Sequence, residues 1–423
     1  MSSKTKAPDM KKKVTPELLP RLRFAEFRGA KGWEKKLIGP YLEDSSGRVP
    51  PDTELPVYSS TREGLKRQDA YFAGQVLQNK NEYGVVPPGC FVYRHMSDDG
   101  LFKFNINETG GEIAVSKEYP VFSAKGLNPV FLLAKLNDGL DFKEFALSQK
   151  AGGTRTRLYF SRLCDWHTSL PSLAEQKKIA ECLCSVDELV AAQAGKVEAL
   201  KAHRKGLMQQ LFPREGETQP RLRFPEFQNA GGWDVRTVGD MFHLINGCAF
   251  KPEDWKRSGT PIIRIQNLND PSAEFNYSQA PVLERNRIES GDLLFAWSGT
   301  LGSSFGARVW NGPPGVLNQH IFKVLMDEQQ VTLPFSLLVL SRVEEDIAKK
   351  AHGFKASFVH VKKSDLVKIE LPLPSLPEQQ RIASCLSSLD ARITAETQKR
   401  EALKTHKKGL MQKLFPSSEE VEA

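Results

Sequence analysis

Cysteine is scarce. Six residues (Cys90, Cys164, Cys182, Cys184, Cys248 and Cys385) are scattered over 423, with no CxxC pair and no histidine cluster at zinc-ligand spacing. Neither a disulfide framework nor a bound metal is expected. Long apolar runs are also missing: the longest stretches, such as residues 335–340, fall far short of the roughly 20 residues that cross a bilayer. The opening segment MSSKTKAPDMKKKVTPELLP carries lysines but no apolar core, so no secretory signal is read there and a cytoplasmic protein without a membrane partner is expected. No GxxxxGK[ST] phosphate loop, GxGxxG after a strand, HExxH, GxSxG or kinase-type set occurs. An NPPY-like tetrapeptide of the adenine methyltransferases is absent too, since residues 128–131 read NPVF. Catalysis by this chain is not expected.

What is present is ordinary globular matter, 40% hydrophobic and 26% charged, in a length that suits two to three domains. Lys and Arg total 59 against 51 Asp and Glu, a net +8, which favours a polyanionic partner. Part of that excess sits in residues 1–19, read as a disordered basic tail.

The strongest signal is an internal repeat. PRLRFAEFRGAKGWEKKLIG at residues 20–39 returns as PRLRFPEFQNAGGWDVRTVG at residues 220–239, identical at 11 of 20 positions. The stretch from LPSLAEQKKI to KGLMQQLFP at residues 170–213 returns at 373–416, from LPSLPEQQRI to KGLMQKLFP, identical at 27 of 44. Between them, residues 40–169 and 240–372 are of nearly equal length yet do not align. Like frames around unlike inserts imply one job done twice, with each insert doing a different version of a related task.

The 170–213 and 373–416 segments read as helices of about 38 residues, or roughly 57 Å. Ser172 with Glu175, and Ser375 with Glu378, have the spacing of capping boxes, and Pro213 and Pro416 block further extension. Ile179, Leu183, Val186 and Val190, with Ile382, Leu386, Leu389 and Ile393, follow the 4,3 spacing of a heptad seam. Polar residues interrupt it at Gln193 and Arg204, and at Glu396, Arg400 and Lys407. Two equal seams in one chain can bury each other as an antiparallel coiled coil. The inserts read as small mixed α/β domains: β-rich runs at residues 83–93, 118–122, 259–268, 291–299 and 319–325, and amphipathic helices at 128–136 and 336–350.

For nucleic-acid contact, KAGGTRTR at residues 150–157 gathers Lys150, Arg155 and Arg157 about two glycines, where cations can reach phosphates or guanine edges. The second insert offers Arg264, Gln266 and Asn267, with Lys355 and Ser357 in HGFKASFVHVKK. The plain alternative for each is a solvated loop.

The paired LPSLxEQ helix starts, the KGLMQxLFP ends, RLRFxEF with a following GW, and GTPIIRIQNL, GDLLFAWSGTLG and NQHIFKV in the second insert resemble the specificity (S) subunits of Type I restriction-modification systems. The resemblance runs from Pro20 to Pro416. It implies a mixed α/β chain: two globular target-recognition domains separated by two long antiparallel coiled-coil helices, in a pseudo-twofold, circular arrangement. The expected divisions are a tail at 1–19, a first target-recognition domain at 20–169, a spacer helix at 170–213, a second target-recognition domain at 214–372, a spacer helix at 373–416 and a tail at 417–423. It further implies a non-catalytic subunit that reads a split, asymmetric site in double-stranded DNA, within a complex of two methyltransferase (modification) and two restriction subunits in a bacterial or archaeal cytoplasm. This chain would hold no cofactor, while its partners would use S-adenosylmethionine, ATP and Mg2+. Glu175, Gln176, Ile179, Leu183, Glu378, Gln379, Ile382 and Leu386 would lie on the spacer helices that dock partners. The competing reading is a coiled-coil scaffold that reads no sequence.

Overall fold

The computed structural model describes residues 18–71, 82–150, 155–214, 216–351 and 358–416. The chain divides into two compact units, residues 1–194 with 398–423 (unit 1) and residues 195–397 (unit 2).

In unit 1, β1 (Glu34–Leu37), β2 (Leu42–Asp44), β3 (Phe91–Tyr93), β4 (Met96–Ser97), β5 (Phe104–Ile106), β6 (Val121–Ala124), β7 (Thr156–Arg157) and β8 (His167–Leu170) form the site-bearing framework. Strands β1 and β8 pair antiparallel, which ties the start of the insert to its end. The central sheet runs β2-β6-β3-β5, and β4 pairs with β7. Aromatic side chains fill the space beside this sheet: Phe91 stacks on Phe122 at 4.9 Å, and Tyr93 packs tilted against Phe104 at 4.4 Å. Helix α1 (Pro129–Asp138) begins where Asn128 Oδ1 accepts from Phe131 N–H at 3.0 Å, and it buries Phe131, Leu132 and Leu136. A second sheet of Gly47–Val49, Tyr83–Val86 and Ile113–Ser116 covers a smaller apolar cluster.

Helix α2 (Leu173–Leu211) follows. Unit 2 then contains β9 (Asp234–Thr237), β10 (Phe242–Asn246), β11 (Leu293–Ala296), β12 (Ser298–Thr300), β13 (Gly306–Val309), β14 (Ile321–Met326), α3 (Leu333–Ala351), β15 (Phe358–His360), β16 (Glu370–Leu373) and α4 (Leu376–Leu414). Strands β9 and β16 pair, the central sheet runs β10-β14-β11-β13, and β12 pairs with β15. Strand for strand this is the order of unit 1, so the inserts that do not align in sequence share the central sheet, the framing pair and the small ribbon. Their second sheets differ: three strands in unit 1, four in unit 2 (Thr260–Ile263, Asn276–Ser278, Arg287–Ile288 and Gly315–Leu317), the first and last of these pairing parallel. A strand requires only an alternation of buried and exposed positions, which many residue sets satisfy. The stretch 259–268, read as β-rich, is a strand only over Thr260–Ile263; Ile265–Asn269 turns helical, with the Asn267 side chain accepting from Arg264 N–H at 3.1 Å.

Both long helices have 39 residues and start one residue after their serines. Ser172 Oγ accepts from Glu175 N–H at 3.3 Å, but the reciprocal half of the expected capping box is replaced: the Glu175 carboxylate turns to Arg23 at 2.8 Å. Each helix contributes its start to one unit and its end to the other. In unit 1, Ile179, Ala180 and Leu183 of α2 join Met411, Leu414 and Phe415 around α4 in one core with Trp33 and Phe131. The chain here is antiparallel, with Lys407 Nζ 2.6 Å from Asp187, and Leu22 N–H donates to Lys413 O at 2.9 Å. In unit 2, Met208, Leu211 and Phe212 join Ile382, Ala383 and Leu386, Arg204 Nη2 donates to Asp390 at 3.0 Å, and Leu222 N–H donates to Gln210 O at 2.9 Å. The seam interruptions Arg204 and Lys407 thus each meet an aspartate, at equivalent places in the repeat.

One internal difference lies in the core. Lys135 is fully buried in unit 1, its Nζ 3.0 Å from Asp141 and within 5.8 Å of the ring centres of Trp33, Trp166 and Phe415. Unit 2 has Val339 at the equivalent place. Burial pushes the Lys135 ammonium below the ordinary lysine range, and Asp141 opposes that shift only in part. Because the folded value is depressed, the unfolded chain binds more protons in the window between that value and the ordinary lysine value of 10.5, so this group's contribution to stability rises with pH there. Urea unfolding of the native chain beside Lys135→Met is expected to show the difference shifting in favour of lysine as pH rises towards 10.5. A pH-independent difference would contradict the depressed value.

Candidate nucleic-acid interface

Two residue sets identified from sequence separate clearly once burial is known. On the helices, Glu175, Gln176, Ile179, Leu183, Glu378, Gln379, Ile382 and Leu386 are all buried. Glu175 accepts from Arg23 Nε and Nη2 at 2.8 Å each, and Glu378 from Arg223 Nε and Nη2 at the same distances. Gln176 Oε1 accepts from Asn128 N–H, and Gln379 Oε1 from Thr332 N–H, at 3.0 Å in each case. These eight residues therefore bind each unit's own elements together. Their expected part as a docking surface is corrected, because a side chain that is sealed and satisfied internally offers nothing to a partner.

The duplicated arginine is the residue that sequence reasoning missed. Arg23 also donates to Ala30 O and Lys31 O, and Arg223 to Ala230 O and Gly231 O, so each guanidinium clamps the RLRFxEF turn to a helix start. Its signal was that the arginine of RLRFxEF recurs whenever the glutamate of LPSLxEQ does, in separate segments of the repeat.

Among the candidate base-contacting residues, Lys150 is exposed next to residues 151–154, which lie outside the described set. Arg155 and Arg157 flank the buried Thr156, so both point to the same open face of β7. Arg155 forms an exposed pair with Asp98 at 2.8 Å, which a phosphate can displace at small cost. Nearby, Arg62 pairs with Asp99 at 2.7 Å, and the Arg62 hydrogen bond holds that carboxyl well below the usual range. Tyr159, exposed, stacks over the buried His95 at 5.4 Å. Basic side chains beside an exposed ring suit a polyanion with aromatic bases.

In unit 2, Arg264 lies over the Trp255 ring at 4.7 Å and donates to Asn276 at 2.7 Å, which fixes its guanidinium at the surface. Gln266 is exposed, its amide bonded to Glu274 O at 3.2 Å. Asn267 cannot serve as proposed from sequence: it is wholly buried, and its amide both accepts from Arg264 N–H and donates to Ala273 O at 3.1 Å. Lys355 and Ser357 fall outside the described residues. Strand β15, by contrast, carries exposed Phe358 and His360 about the buried Val359. His360 meets the Trp297 ring at 4.7 Å, and Trp297 is itself held by its Nε1 donating to Gln319 O at 3.1 Å and by Phe322 at 5.7 Å.

Among the described residues no helix is long and apolar enough to cross a membrane, and no group of three or more His, Cys, Asp or Glu is placed to hold a metal.

Comparison with known proteins places this geometry. Residues 230–405 match the family model described as Type I restriction modification DNA specificity domain. The putative type I restriction enzyme MjaX specificity subunit of Methanocaldococcus jannaschii is 26% identical over 350 residues, covering 76% of this chain and 79% of that one. The EcoBI specificity subunit of Escherichia coli is 27% identical over 163 residues, 38% of this chain and 33% of that one. In fold, the chain is similar to one solved in a study of complex assembly and conformational transition of the type I R-M system, with a TM-score of 0.59, 16% identity and 91% and 98% of the two chains covered. It is also similar to the S subunit from M. genitalium, with a TM-score of 0.51, 15% identity and 95% and 100% coverage. Residues 230–405 thus match the DNA specificity domain of Type I restriction-modification systems, and over most of its length the chain is similar in sequence, and separately in fold, to specificity subunits of such systems.

Proposed function

We propose that this chain reads the two halves of a split, asymmetric duplex site, one half with each unit, and presents the DNA to two modification subunits and two restriction subunits in a bacterial or archaeal cytoplasm. The observation that carries this reading is the repeated frame around two inserts that share a central-sheet order and differ in sequence. A frame used twice suits two copies of one partner, while unlike inserts suit two different half-sites. S-adenosylmethionine, ATP and Mg2+ would belong to those partners, and this chain would supply register and orientation. Methylation of a base in a duplex requires the base to be turned out of the stack, so the partner needs a reader that fixes where it acts. In this reading Lys150, Arg155, Arg157, Arg264, Gln266, Lys355 and Ser357 face the DNA. The regions 20–169 and 214–372 are the readers, and the helices at 170–213 and 373–416 set their spacing.

The test is co-expression with the methyltransferase encoded beside it, in a host free of DNA methylation, followed by a genome-wide map of N6-methyladenine. A split motif that disappears when this chain is omitted is the expected result. Methylation that persists unchanged without the chain would overturn the reading.

A further inference from the structure

The two units place one small ribbon in the same setting. In unit 1, β7 pairs antiparallel with β4, Thr156 opposite Ser97 and Arg157 opposite Met96, and Leu158 N–H then donates to His95 O at 2.8 Å. In unit 2, β15 pairs antiparallel with β12, Val359 opposite Gly299 and His360 opposite Ser298, and Val361 N–H donates to Trp297 O at 3.0 Å. The registers and the closing bonds superpose these positions: Thr156 and Val359 are the buried middle residues, Arg157 and His360 follow them, and Arg155 and Phe358 precede them. An edge strand that held only its own sheet would have no reason to present a phenyl ring that is 59% exposed. Nor would it need an imidazole already oriented against a fixed indole at 4.7 Å.

We propose that Phe358 and His360 are base-contacting, specificity-determining residues of unit 2, at the positions that Arg155 and Arg157 hold in unit 1. The inference rests on the DNA-reading function proposed above and names the residues and the chemistry by which the halves differ. Two guanidiniums suit the paired acceptors of guanine or a phosphate, whereas a phenyl ring suits the thymine methyl and an imidazole N–H suits a purine N7. Exposed Lys362, two residues beyond His360, supplies a cation for the adjoining phosphate. The occupant is therefore duplex DNA entered from the major groove, and the two ribbons read different base pairs because equivalent backbone positions carry unlike side chains.

The experiment uses the full chain assembled with its modification subunits and selects bound sequences from a duplex library with a randomised core. Phe358→Ala and His360→Ala are expected to lose roughly ten- to hundredfold discrimination at one or two positions of one half-site, with the salt dependence of binding unchanged. Arg157→Ala should relax the other half, and Arg157→Lys should restore affinity but not base preference. A native motif retained by both Phe358→Ala and His360→Ala, with circular dichroism showing intact folds, overturns the inference and leaves the DNA-reading function standing. Loss of assembly with the modification subunits in those two variants would also overturn it, marking the strand as a protein interface. If the unmodified complex selects no motif at all, the DNA-reading function itself fails and carries the inference with it.

Discussion

Glu378→Ala is expected to destabilise unit 2 by about 3–5 kcal/mol, because it strips the partner from a buried cation without removing the cation. The Arg223 and Glu378 side chains are 9% and 1% exposed and meet through two bonds of 2.8 Å. The Glu378 hydrogen bond holds the Arg223 guanidinium above its ordinary range; the variant removes that support, yet a guanidinium is intrinsically so basic that Arg223 keeps its charge and cannot relieve the strain by losing a proton. Equilibrium unfolding in urea should report the loss. Arg223→Met combined with Glu378→Leu should come much closer to the native stability than the single variant, since the desolvation of both charges disappears together with their attraction. A single variant within about 1 kcal/mol of the native chain would show that the pair behaves as a solvent-exposed one and contradict its burial. Arg23 and Glu175 in unit 1 share the same geometry and should behave alike, with the difference that Glu175 also accepts from Trp33 Nε1 at 3.3 Å.

A chain that ends at Lys404 should lose the cooperative folding of unit 1, although nearly all of that unit lies more than two hundred residues earlier. The cut removes Met411, Leu414 and Phe415 from its core. Phe415 packs against Trp33 at 6.2 Å and Phe131 at 5.5 Å and covers the ammonium of Lys135. Each large buried side chain contributes about 2–5 kcal/mol, so three together approach the entire stability of an ordinary domain of roughly 5–15 kcal/mol. Unit 2 keeps its equivalents, Met208, Leu211 and Phe212, and should stay protected. Hydrogen exchange read peptide by peptide distinguishes the two: fast exchange across β1, β3 and β6 with slow exchange across β10, β11 and β14. Native-like protection of both units in the shortened chain would refute the shared core.

Sequence reasoning reached the frame and stopped at the inserts, for identifiable reasons. The helices were legible because their start, seam and end are each local: a capping serine, a 4,3 spacing and a terminal proline within one segment. The antiparallel pairing followed from two equal seams. The capping box was half right, since the Ser172 hydroxyl acts locally while the Glu175 carboxylate goes to an arginine 152 positions away, and no local rule anticipates that distance. The common order of the central sheets was invisible because it is written in burial, with Leu294 and Phe295 in one sheet where Phe91 and Val92 stand in the other. Asn267 was selected for its amide, and the amide turned out to be spent on a helix start. Phe358 and His360 escaped notice because a three-residue FVH run reads as core until the partner strand shows which side of it is covered.

The exchange of helix ends between units also sets a timetable for synthesis. Unit 2 is complete once residue 397 has left the ribosome, whereas unit 1, begun first, must wait for residues 398–415 to close its core. At ~5–20 residues per second, the stretch of about 220 residues from Ala194 to Phe415 corresponds to a delay on the order of 10–40 s. During that interval Trp33, Phe131 and the Lys135 ammonium stand without their cover, a natural point for a chaperone to act. The half of the protein translated second is therefore the first able to finish folding.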